Sequence, residues 1–198
     1  MKVLLVGATG LIGKGVAAAL SVNHEVIRAS RSSDISVDLN DPASIAALLK
    51  RVGKVDAIAS AAGHVPFNTI DALTRDDFIH GFTDKALGQI ELAQQGMAYL
   101  NDGGSITLMS GVLARTPIKT GAVAAVVNGA LESYVTAAAI EMPRGIRINA
   151  ISPTVLVEAT GFHPYFPGYP QVTLKQVTDA YVRSVDGWDT GTVYKLDS

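Results

Sequence analysis

The stretch "KVLLVGATGLIGKG" at residues 2–15 constrains this chain more than any other part of it. An unbroken apolar run from Val3 to Val6 has no polar face to offer water. It therefore suits a strand covered on both sides, the situation of a parallel sheet between two helix layers. The run stops at Gly7, further glycines stand at 10, 13 and 15, and apolar residues then recur at helical spacing to Leu20. Strand, glycine turn and helix in that order open a βαβ unit.

The same alternation continues to the C-terminus. "HEVIRAS" gives a second strand, and "ISVD" (residues 35–38) a short third one reached by a loop alone. Asp41-Pro42 opens a helix through Arg51, with Pro42 at its first position. "KVDAIASAAG" is the next strand, and a helix with Asp76 and Asp77 in its first turn spans residues 74–100. "GSITLMS" is a strand, residues 121–142 form a long helix ended by Pro143, and "GIRINAIS" is a strand. A helix over residues 174–185 and the strand "GTVYKLD" close the chain. The expectation is one α/β domain over residues 1–198: a doubly wound parallel sheet of about seven strands flanked by helices.

Composition removes several function classes. The formal net charge is −2 and basic residues form no run, so nucleic-acid or anionic-membrane binding has little electrostatic support. The chain has no cysteine, and its four histidines show no ligand spacing, so no metal site is expected. The N-terminal apolar run is shorter than the roughly 7–15 residues of a secretory segment, and a cytoplasmic protein is expected.

One stretch does have the length of a membrane span. "GAVAAVVNGALESYVTAAAIE" (residues 121–141) carries a single charge, Glu132, in its first twenty residues. It is rich in Ala and Val, and Asn128, Glu132, Ser133 and Thr136 interrupt it. A mid-span carboxylate costs about 2.5–3.5 kcal/mol to insert, and alanine offsets little of that. The stretch reads as a helix buried in a protein core or interface.

The glycine turn lets the backbone approach a pyrophosphate, and the positive end of the following helix faces the phosphates. The spacing is G-x-x-G-x-x-G, and its place after the first strand is what lends it weight. The second strand ends in "RASRSS", with no acid until Asp34. Arg28, Ser30, Arg31 and Ser32 suit a 2′-phosphate where an NAD site would carry an acidic residue, so NADP(H) is expected over NAD(H).

These residues resemble the short-chain dehydrogenase/reductase family over nearly the whole chain. "GATGLIGKG" is similar to its glycine loop, "VDLND" to its adenine-side aspartate, and "SAAG" (residues 60–63) to its N-A-G motif. "GIRINAISP" is similar to its penultimate strand, with Thr154 where a glycine is usual, and "DTGTVYKLD" to its last strand. The resemblance implies a Rossmann fold exchanging hydride between a nicotinamide cofactor and a carbonyl or alcohol. It implies cofactor contacts from Gly7, Thr9, Gly10, Leu11, Ile12 and Gly13, and from Ser30, Arg31, Ser32 and Asp38. Further contacts are implied for Ala61, Ala62, Gly63, Pro153 and Val155. It also implies assembly through the two long helices, so a homodimer or homotetramer is expected.

The chain is short for the family and departs from it at the chemistry. The family's catalytic serine corresponds to Ser110 in "TLMSGVLA", but its Tyr and Lys positions fall on Ala124 and Asn128. The N-x-x-G pattern of the preceding helix reads "KALG", which puts Lys85 at the asparagine. Lysine and asparagine have exchanged places. The expected catalytic set is Ser110, Lys85 and Asn128, with the proton supplied by Lys85 or by a water it holds. Minor candidates are His64, His163, Arg115, Lys119 and the aromatics of "GFHPYFPGYP". Two functions follow: a reductase of a small carbonyl or alcohol substrate with an altered proton donor, or a dinucleotide sensor that has lost the reaction.

Overall fold

The structure is a computed structural model and describes residues 1–197. Six segments become strands: β1 (Lys2–Val6), β2 (Glu25–Ala29), β3 (Val55–Ser60), β4 (Leu100–Met109), β5 (Arg147–Pro153) and β6 (Val193–Leu196). They form one parallel sheet in the order β2-β1-β3-β4-β5-β6. The register places Ile27, Leu4, Ile58, Ile106 and Ile148 in one row across five strands. Successive side chains face opposite sides of the sheet, so Val3, Leu5, Ala57 and Ala59 build the second face.

Two helix layers cover these faces. α2 (Pro42–Val52), α4 (Gly88–Gly96) and α5 (Ala122–Ala138) pack on the isoleucine row, and α1 (Leu11–Leu20) and α6 (Leu174–Asp186) on the other side. Local chemistry starts the helices. The Asp41 carboxylate accepts from the Ala43 amide at 2.9 Å, and Thr173 and Gln176 cap α6 reciprocally. Thr74 and Asp77 cap α3 (Arg75–Gly81) in the same way.

Three expectations change. "ISVD" is not a strand, so the sheet has six strands among the described residues. Only a single bridge joins Ser30 to Ser36, while the Ser33 hydroxyl donates to the carbonyls of Ser30 and Ile35 and folds the loop on itself. A loop that short cannot make a parallel crossover, which takes a dozen or more residues.

The helix expected over residues 74–100 is broken into α3, a π-helical turn (Phe82–Leu87), α4 and a 3₁₀ turn (Met97–Tyr99). Glycines sit where the pieces join neighbours: a Cβ at Gly81 would stand 2.5 Å from Val123, and one at Gly88 2.7 Å from Leu39. Finally, α5 stops at Ala138, where the backbone tightens into a turn ahead of Pro143. Its buried face is Val123, Ala124, Val127, Asn128, Leu131 and Val135, and no described helix is long and apolar enough to cross a membrane.

Candidate active site

The chain leaves β1 for β2 on one side and later returns to β3 on the other. A crevice opens at that switch point, beyond the carboxyl ends of the strands. Here it is a cleft of about 440 Å³ lined by Gly7, Thr9, Gly10, Ser30, Arg31, Ser32, Asp38 and the backbone from Ala61 to His64. Gly7 needs its glycine twice over. Its φ is +84°, and a Cβ would stand 2.7 Å from the Ala61 carbonyl. A Cβ at Gly13 would collide with the Gly7 carbonyl, so α1 can close onto the turn only through glycine.

The α1 N-cap is Gly10, which offers no side-chain acceptor to the first helical amides at Leu11, Ile12 and Gly13. Those donors and the helix dipole suit a pyrophosphate. Arg31 and Ser32 are exposed on the cleft wall, whereas Arg28 lies exposed on β2 and does not line it. The residues present thus fit a nicotinamide dinucleotide. Pro153 and Val155 lie outside the cleft lining, at the end of β5. Nearby, a Cβ on Gly111 would come within 3.8 Å of the Pro153 carbonyl and 3.0 Å of the Asn128 amide.

Asp84 closes the far end of the cleft, a role without a motif to announce it. Its carboxylate accepts from the His64 amide at 3.1 Å and from the Asn40 side chain at 3.0 Å, tying two loops of the cleft to the π-helical turn. Lys85 follows it. The lysine stem crosses Gly63 so closely that a Cβ there would stand 2.6 Å from Lys85 Cγ, and Gly63 has φ +119°. Lys85 Nζ then donates to the Ser110 carbonyl at 3.3 Å. The residue keeps part of its surface exposed, yet the protein packed around it pushes the ammonium down to about 8.

Lys85, Ser110 and Asn128 are therefore brought together, with Ser110 as the link. Its hydroxyl is directed into α5, within reach of the Asn128 carbonyl at 3.1 Å and Glu132 Oε1 at 3.0 Å. One hydroxyl proton cannot serve both of these and a substrate oxygen at once. Asn128 is buried and its Oδ1 has no partner within the protein.

Glu132 emerges as the residue that the sequence reading passed over. Its Oε1 also accepts from Ser152 Oγ at 2.5 Å and Arg115 Nη1 at 3.0 Å, and Arg115 reaches on to Asp197 at 2.8 Å. A lone charge in an apolar helix was the available signal. Arg115 is consequently engaged within the protein, whereas Lys119 is exposed. His64 lines the cleft, and His163 Nε2 lies 2.9 Å from the Leu156 carbonyl. The aromatic loop does build a cavity: Phe162, Tyr165 and Phe166 face Phe67, Ile118 and Thr120 around about 350 Å³.

Comparison with known proteins bears on the family and the fold. The family model described as enoyl-(acyl carrier protein) reductase matches residues 9–182. The chain belongs to the short-chain dehydrogenase/reductase family. It is 28% identical over 204 aligned positions to the hydroxynaphthalene reductase-like protein Arp2 of Metarhizium brunneum, covering 88% of this chain and 76% of the relative. Among solved structures, the protein lin1944 from Listeria innocua is 44% identical, with TM-score 0.97 over 98% of both chains. A small-chain dehydrogenase in complex with NADPH is 28% identical, with TM-score 0.89 over 100% of this chain and 96% of the other.

Proposed function

We propose that the protein is an NADP(H)-dependent reductase or dehydrogenase of a small apolar carbonyl or alcohol, in which Lys85 handles the proton. One observation carries the reading: the Lys85 ammonium is held at the Ser110 carbonyl while its stem crosses the Gly63 turn of the cofactor cleft. The arginine and serines on the cleft wall and the NADPH-bound structural relative support the cofactor. When bound, NADPH supplies a hydride to a carbonyl carbon.

The chain's own part is the proton and the pocket. An ammonium titrating near 8 donates to a developing alkoxide far more readily than an ordinary lysine, and its charge steadies the oxygen before transfer. Ser110 can donate to a substrate oxygen only by turning its hydroxyl away from Glu132, so its role is secondary. Asn128 offers an unpartnered amide oxygen on the α5 wall. The aromatic cavity suits a flat apolar substrate, in keeping with the naphthalene-derived name of one relative.

The engaged Ser110 hydroxyl and the alanine at position 124 favour a second reading, a dinucleotide-binding sensor without turnover. NADPH oxidation across a panel of apolar ketones, run beside direct NADPH binding, separates the two. Turnover that Lys85→Ala abolishes supports the reductase. Binding with no turnover rejects it in favour of the sensor, and absence of binding rejects both. Reduction should be level below pH 8 and fall about tenfold per pH unit above it. We also propose that the protein assembles as a homodimer or homotetramer, which light scattering tests.

A further inference from the structure

We propose that Gln89 is the positioning residue that fixes the Lys85 side chain against the end of β4; the proposal rests on the reading of Lys85 as the proton-bearing group. Gln89 is fully buried, an unusual place for a primary amide unless every polar atom is satisfied. Here they all are. Oε1 accepts from the Met109 amide at 2.8 Å, and Nε2 donates to the Met109 carbonyl at 3.0 Å and to the Lys85 carbonyl at 3.1 Å.

The sheet makes room for this. β3 pairs with β4 only as far as Ala59 opposite Thr107, while β4 runs on to Met109. The Gln89 amide grips both polar groups of that last residue in the manner of a neighbouring strand. Ser110 comes next, and its carbonyl receives the Lys85 ammonium. Lys85, Gln89, Met109 and Ser110 thus close a ring in which Lys85 is held at its backbone and at its tip.

The π-helical turn explains why such a clamp is needed. Gly88 donates to Thr83, five residues back, so the turn holds one residue more than an α-helix would. Relaxing it to α geometry shifts the register by one residue, about 100° of rotation, and would carry Lys85 away from Ser110. Gln89 opposes that relaxation by tying the Lys85 carbonyl to the sheet.

Gln89→Met keeps the volume and removes all three hydrogen bonds. Two measurements on the NADPH-bound protein test it: steady-state turnover against pH, and acetic anhydride labelling of Lys85 against pH. In the variant, Lys85 should titrate nearer the ordinary lysine range than in wild type. kcat should fall about ten- to a hundredfold with NADPH affinity within about twofold, because loss of position harms the chemical step more than cofactor binding. An unchanged Lys85 titration and an unchanged pH limb overturn the proposal. Should Gln89→Met fail to fold, the same labelling of Gln89→Asn, whose amide is one methylene shorter and adds no charge, decides in the same way. A shifted titration in the Gln89 variants, with normal turnover in Lys85→Ala, would retain the clamp while rejecting Lys85 as the proton donor.

Discussion

Replacing Lys85 with methionine should make the protein more stable at neutral pH while removing its activity. The side chain keeps its linear stem against Gly63 and loses only the ammonium. Lowering that ammonium from 10.5 to about 8 means that folding opposes its charged form by about 3 kcal/mol. The lost hydrogen bond to the Ser110 carbonyl returns about 1 kcal/mol in the other direction. The net gain at pH 7 is about 2 kcal/mol, or roughly 4–8 °C in Tm for a chain of this size.

The pH dependence has a definite sign. Between about 8 and 10.5 the unfolded chain binds this proton and the folded protein does not, so wild-type stability rises with pH across that window. The advantage of Lys85→Met should therefore shrink through the same window, vanish at about pH 9.5 and give way to a deficit of about 1 kcal/mol above it. Thermal unfolding of both proteins at pH 7 and pH 10 checks it. Equal melting temperatures at both values would show that Lys85 is an ordinary solvated lysine, and would remove the physical basis for its acid role.

Gly63→Ala should cost about 1–3 kcal/mol from its positive φ alone, and should also push the lysine stem aside; loss of turnover beyond the loss of folded protein is the measurement. Arg31→Ala should weaken NADPH binding about ten- to a hundredfold and leave NADH binding nearly unchanged, as read by calorimetry with both cofactors. Glu132→Leu should cost about 3 kcal/mol by chemical denaturation, since it removes the carboxylate shared by Ser110, Ser152 and Arg115 and leaves Arg115 one anionic partner in a mostly buried place. A denaturation midpoint equal to wild type would mean that the cluster is held by Asp197 alone.

Much of the site was legible because its determinants are local. Gly7, Gly10 and Gly13 announce the turn, since only glycine tolerates both the positive φ and the approach of α1 to the strand. The proposed exchange of Lys85 and Asn128 was read from two departures from one family pattern. The Ser110 hydroxyl was harder, because a residue's place at a strand end does not reveal where its proton goes. Gln89 and Asp84 gave no signal at all. Each is an ordinary polar residue in a helical segment, and each acquires its role from groups 20 residues or more distant in sequence.

The missing strand marks the same boundary. "ISVD" has strand composition, but pairing depends on the connection that precedes it, and the serine-rich loop closes on itself instead. The sequence by itself determined the strand cores, the glycine turn and the helix caps, because these depend on neighbours a few residues apart. Tertiary structure decided the π-helical turn, the Gln89 clamp, the Glu132 cluster and the lowered Lys85 ammonium. Those arise where β4, α5 and the turn ahead of α4 converge, and desolvation and hydrogen-bond partners are properties of that convergence.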